Sequence, residues 1–178
     1  MSENTKSWYN NEKSRKEYDM DTKTNAMRIL EKNKIAYELI SYECDEFIDG
    51  LHTAQKTGAP VEQSFKTLVA QGKSKAYYVF VVPIAEEVDL KRAAKVANEK
   101  SIEMIPVKEI KNVTGYIRGG CTPVGMKKQF PTFIQKSAAE YEKIYVSGGR
   151  LGATLKLNPN DLAKVTRAEF ADFIVEKE

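Results

Sequence analysis

Ser64-Phe65-Lys66-Thr67-Leu68-Val69-Ala70, then Gln71-Gly72-Lys73-Ser74-Lys75, then Ala76-Tyr77-Tyr78-Val79-Phe80-Val81-Val82-Pro83: two apolar runs of strand length flank a short polar turn. β-Branched and aromatic residues bounded by turn formers predict a β-hairpin. Strand side chains alternate between faces, so Lys66 shares a face with Leu68 and Ala70, while Phe65, Thr67 and Val69 take the other. Burying an ammonium group is costly unless it finds a partner or a wet cleft. Alternation alone leaves two readings open: an edge-strand lysine with its head in solvent, or a lysine turned into a binding cleft.

Helices and further strands surround the hairpin. Upstream, Ala26, Ile29 and Leu30 give one helical face ending near Asn33, with Asp21 or Thr22 as N-cap. Tyr37 to Tyr42 reads as a strand, and Asp49 to Thr57 as a short helix stopped by Gly58. Downstream, Asp89 caps a helix with Leu90, Ala93, Ala94 and Ala97 on its apolar face. A short strand at 102–105, an irregular glycine-rich stretch at 114–125, and strands near 132–135, 143–147 and 153–157 follow. Asn158-Pro159 opens a last helical region anchored by Leu162, Val165, Phe170 and Phe173. Hairpins mixed with helices, without a strand-helix-strand repeat, predict an α+β fold.

The chain has 178 residues, enough for one domain without a disulfide or metal staple. Residues 1–20 are polar and charged and are expected to form a flexible N-terminal extension, leaving 21–178 as the folded domain. No stretch approaches the roughly 18 apolar residues of a membrane span. Cys44 and Cys121 stand far apart in no metal-binding spacing, as suits a reducing cytoplasm. The single histidine, His52, leaves little for a His-based metal site or triad. A net charge of +3 is too small for a general nucleic-acid coat, so any such contact must be local. Arg118 with Lys127 and Lys128 is one cluster that could supply it.

Three motifs invite chemistry. Ser147-Gly148-Gly149-Arg150-Leu151-Gly152 looks like a phosphate loop, but the alternating Ala153 to Leu157 follows where a helix should open, so a hairpin turn is expected. Cys121 lies in a glycine-rich loop with no base beside it in sequence, which favours packing over nucleophilic attack. Gly119-Gly120-Cys121-Thr122-Pro123 could present backbone amides to an anion or oxyanion, or could simply be a tight turn.

Taken together, Thr24 to Glu31, Phe65 to Leu68, Val88 to Lys91, Thr114 to Lys128 and Ile144 to Gly149 resemble the YbaK/EbsC family of trans-acting aminoacyl-tRNA deacylases, closest to the Cys-tRNA(Pro) branch. That family is similar to the editing insertion domain of bacterial prolyl-tRNA synthetase. The resemblance implies a compact, barrel-like mixed sheet flanked by helices, with one pocket for the acylated 3′ end of tRNA. It implies that Lys66 holds the terminal adenosine or ester region, and that Gly119 and Gly120 recognise the aminoacyl group. It places Tyr42, Thr122, Pro123, Ser147 and Gly148 among the substrate-binding residues and Arg118, Lys127 and Lys128 toward tRNA. It implies no metal, no cofactor and no protein nucleophile: the substrate's cysteine thiol attacks its own ester carbonyl. Implied partners are aminoacyl-tRNA and a prolyl-tRNA synthetase in a ternary complex, with no membrane. Thr154 stands where the cysteine-specific branch can carry aspartate, which opens the question of substrate preference.

The expected function is therefore cleavage of mischarged Cys-tRNA(Pro), with Cys-tRNA(Cys) as a further substrate. Three alternatives stand beside it: a deacylase for Ala-tRNA(Pro), which must use water; a non-catalytic aminoacyl-tRNA or nucleotide-binding module; and a thiol hydrolase using Cys121.

Overall fold

The structure, a computed structural model, describes residues 23–177. The expected extension at 1–20 and the expected caps Asp21 and Thr22 lie outside these residues. Helix α1 (Asn25–Lys32) is capped instead by Thr24, whose hydroxyl accepts the Met27 N–H. Strand β1 (Tyr37–Ser41) follows, then α2 (Gly50–Thr57), capped by Asp49 and stopped by Gly58 in the left-handed region. The hairpin is β2 (Phe65–Gly72) and β3 (Tyr77–Pro83). Next come α3 (Leu90–Ala97), capped by Asp89, then β4 (Ile102–Met104) and the short α4 (Ile110–Thr114). Strands β5 (Thr132–Gln135), β6 (Ile144–Ser147) and β7 (Ala153–Leu157) precede α5 (Pro159–Thr166) and β8 (Glu169–Ala171). Arg167 takes a left-handed conformation and ends α5, so Phe170 falls on β8 and Phe173 on the segment after it, not on the last helix as expected.

The strands form two sheets. One is β1-β7-β6, wholly antiparallel; the other is β4-β2-β3-β5-β8, in which β5 runs parallel to both β3 and β8. Among the described residues a single bridge, Ser64 to Tyr145, joins them. The barrel-like sheet that the resemblance implies is not closed among the described residues, where β1 and β8 end the two sheets without pairing with each other.

β2 pairs with β3 from Phe65 opposite Pro83 to Gln71 opposite Tyr77. Its other edge changes neighbour along its length. β6 packs beside its start but, among the described residues, is bridged there only at Ser64 opposite Tyr145, and β4 begins only at Ala70 opposite Met104. Between those points, around Lys66 to Leu68, this edge of β2 is not paired in a ladder with any strand among the described residues.

The main core lies between the sheets and beneath α1 and α5, with Met27, Leu30, Phe65, Ile134, Leu155 and Leu162 buried in it. Burying side chains of this size stabilises the fold by about 1.5–3 kcal/mol each. A second core, with Phe80, Val82, Ala93, Phe133 and Phe173, packs α3 on the five-stranded sheet. The C-terminal segment is laced onto it: Asp89 N–H donates to the Phe173 carbonyl at 2.8 Å, and Val175 N–H to the Glu87 carbonyl at 2.8 Å. Among the described residues no helix is long and apolar enough to cross a membrane.

Candidate functional site

The gap beside β2 is a cavity of about 520 Å³. Its walls come from the seam itself (Phe65 to Val69 of β2, Tyr145 to Ser147 of β6), from α2 with the loop before it, and from the glycine-rich loop at 118–121. Five consecutive β2 residues line it, which alternation on a paired strand does not allow. An unpaired edge does, because side chains of both faces and the backbone between them border the opening.

Lys66, Arg118, Gly119, Ser147 and Tyr42, all singled out from sequence, meet on this wall. Lys66 is partly buried and, among the described residues, has no carboxylate within ion-pair distance. Arg118 is exposed and stacks over the Phe47 ring, 3.8 Å from its centroid, an arrangement that holds a guanidinium by cation–π attraction. The lone carboxylate of the lining, Asp49, already accepts the His52 N–H at 2.9 Å and meets the His52 ring at 2.7 Å. Those bonds, the backbone one first, hold Asp49 below its ordinary carboxylate range. The cavity therefore carries two cations against one occupied anion, among walls rich in apolar side chains.

Ser147 Oγ donates to the Gly119 carbonyl at 3.3 Å, tying β6 to the glycine loop. Gly119 has φ +84°, a conformation that favours glycine. Gly120 corrects the expectation of two adjoining amides aimed at a ligand. It is buried, its N–H donates to the Ile117 carbonyl at 3.0 Å, and a Cβ there would sit 2.9 Å from the Arg150 backbone. Its role is close packing of two loops.

Thr122, Pro123 and Gly148 likewise lie off the cavity wall and are buried behind it. The Thr122 hydroxyl accepts the Val124 N–H at 3.5 Å within its own turn. Lys127 and Lys128 are exposed but do not border the cavity; Lys127 Nζ donates to the Asn112 carbonyl.

Sequence reasoning missed Thr67. Its Oγ1 is buried with no hydrogen-bond partner, in a residue bordering the cavity. Alternation assigned it to the face away from Lys66, and only the unpaired edge brings both to one opening. Phe47 was also passed over; an aromatic in the acidic loop Glu43 to Asp49 was the available signal. Thr154 lines the wall opposite Ser147 in the β6–β7 register.

Cys121, the candidate nucleophile of the sequence, is not equipped for attack. Cys121 is buried, and burial pushes its thiol up to about 11, so the sulfur stays protonated. His52 is exposed on the first turn of α2 and engaged with Asp49. What the cavity supplies is position and positive charge.

An open α+β frame with a largely apolar cleft that carries two cations offers room for a small group and positive charge toward an anion. Residues 51–165 match the model of the aminoacyl-tRNA editing domain. The chain is 40% identical over 151 residues to a candidate Cys-tRNA(Pro)/Cys-tRNA(Cys) deacylase, EbsC, of Enterococcus faecalis (strain ATCC 700802 / V583). That match covers 84% of this chain and 92% of the relative. Its fold is shared with the crystal structure of a candidate trans-editing enzyme for prolyl-tRNA synthetase, at 24% identity and a TM-score of 0.76 over 88% of this chain and all of that one. It is shared also with a hypothetical protein of known structure, at 20% identity and a TM-score of 0.79 over 85% of this chain and all of that one. The chain belongs to the aminoacyl-tRNA editing domain family.

Proposed function

We propose that this chain is a trans-editing deacylase that clears cysteine from tRNA(Pro), and also from tRNA(Cys), in the cytoplasm. The observation that carries this reading is the meeting of Lys66, Gly119 and Ser147 in one cavity of a chain 40% identical to EbsC. Lys66 and Arg118 suit the phosphates and ribose of the 3′ end, and the apolar wall suits a small aminoacyl group. The cysteinyl sulfur attacks its own ester carbonyl, the C–S bond forms, and the ester C–O bond breaks. The thiol proton leaves with the ribose oxygen, releasing a thiolactone. The cavity's part is orientation, which for an internal nucleophile contributes up to about 7–11 kcal/mol, together with Lys66 as a donor toward the ester region, where one oxyanion donor is worth about 3–4 kcal/mol. A single small cavity reads an aminoacyl end rather than a whole tRNA, so tRNA identity is assigned in this reading to a prolyl-tRNA synthetase partner.

The test is a deacylation panel of Cys-tRNA(Pro), Ser-tRNA, Ala-tRNA(Pro) and S-methylated Cys-tRNA(Pro), with and without prolyl-tRNA synthetase. Multiple turnover of the free-thiol substrate, with the serine and S-methyl forms nearly inert, is expected. Equal rates for free and methylated thiol would sink substrate assistance. Preference for Ala-tRNA(Pro) would point to water attack across the neutral Thr154 wall, and saturable binding without turnover to a non-catalytic module.

A further inference from the structure

α1 begins at the junction of the two glycine-containing loops, and its first residues bond to both. Thr24 Oγ1 accepts the Met27 N–H at 3.2 Å and donates to the Gly148 carbonyl at 2.6 Å. Asn25 Nδ2 donates to the Gly125 carbonyl at 3.1 Å, in the other loop. The fit is close on both sides. A Cβ at Gly149 would lie 3.2 Å from the Thr24 Cβ, and one at Gly125 would lie 2.7 Å from Asn25 Nδ2. The helix carrying these two residues is held rigidly, since Ala26, Met27 and Leu30 are at most 1% exposed.

Neither Thr24 nor Asn25 borders the cavity. Gly148 directly follows Ser147, whose hydroxyl holds the Gly119 carbonyl, and both Ser147 and Gly119 do border it. We infer that Thr24 is a positioning residue for the editing site: its hydroxyl fixes the Gly148 carbonyl, and through it the placement of Ser147 against Gly119. This inference rests on the deacylase reading above. Capping alone does not require the second bond, because an N-cap needs only an acceptor.

That distinction supplies the test. Thr24→Ser keeps both the acceptor and the donor. Thr24→Asp keeps a strong N-cap acceptor but has no proton for the Gly148 carbonyl. Thr24→Val removes both and reports the cost of losing the cap. Expected is a kcat for Cys-tRNA(Pro) roughly tenfold lower in the Asp variant, as misplacement of a positioned group predicts, with KM within about twofold and the Ser variant close to wild type. Amide hydrogen exchange over residues 147–152 should speed up in the Asp variant relative to the Ser variant while Tm stays level. Equal kcat and equal exchange in the Asp and Ser variants would overturn the inference, reducing Thr24 to a cap. If the wild-type chain does not turn over Cys-tRNA(Pro), the deacylase reading fails by itself. The exchange comparison then still decides the inference: unchanged exchange overturns the Thr24 link, and faster exchange sustains it.

Discussion

Lys66 on β2 and Arg92 on α3 are both partly buried cations, and their surroundings differ in kind. Arg92 donates to Glu176 Oε1 at 2.7 Å and to the Ile174 carbonyl at 3.1 Å, and lies 3.2 Å from Asp172 Oδ1. All three partners belong to the C-terminal segment, so Arg92 fastens that segment over the second core. Lys66 has no such counter-charge among the described residues and stands, on the cavity wall, in the stretch of β2 whose second edge is not laddered to a strand. A cation answered within the chain serves the fold. One left unanswered beside a cavity is costly to the fold and available to a ligand.

The sharpest way to break this contrast is to remove each cation in turn. Lys66→Ala should lower kcat/KM for Cys-tRNA(Pro) by about 10²-fold or more, on the scale of a lost transition-state donor, with Tm unchanged or slightly raised. Near-normal kinetics, or a collapse of the fold, would place Lys66 with Arg92. Arg92→Ala should do the reverse, costing about 2 kcal/mol of stability through lost charge-assisted bonds while kcat at low temperature stays at the wild-type level. Denaturant unfolding and initial rates on the same samples decide it.

The smallest effect concerns Cys121, which borders the cavity yet is buried. Burial raises its thiol from 9.0 to about 11, so the unfolded chain loses this proton at lower pH than the folded one. The stability this contributes is complete below pH 9 and declines as pH rises toward 11, by about 1 kcal/mol at pH 10. Tyr116, pushed up to about 12 by its own burial, adds a decline at still higher pH. Cys121→Ala should flatten the stability curve between pH 9 and 11 relative to wild type. An unchanged slope, or rapid alkylation of Cys121 at neutral pH, would move the thiol from packing toward chemistry.

Much of this arrangement was legible in the sequence. The hairpin was, since alternation and a polar turn leave few other structures for 64–83. So was the cap at Asp89, where a carboxylate just before a helix satisfies free N–H groups, whereas Asp49, read as the start of its helix, is the cap before it. The β8 strand was not, because three residues after a helix carry no period of their own. Gly119 and Gly120 show another limit. Glycine demanded by a left-handed turn, by a neighbouring backbone or by a ligand reads identically in one dimension, and Arg150, which decides the matter for Gly120, lies thirty positions away.

By itself the sequence determined local geometry: where the chain extends, coils and turns, and that a lysine sits uncomfortably in a strand. Those outcomes follow from backbone sterics and short-range hydrogen bonds, which act within a few residues. Only the tertiary structure decided that β6 leaves β2 before β4 joins it. From that gap follow the cavity, the company of Lys66 and Thr67 on one wall, and the seat of α1 between the two loops. The neighbours of β2 are chosen by packing between segments as far apart as Ser64 and Tyr145, and no local pattern encodes where an edge is left open.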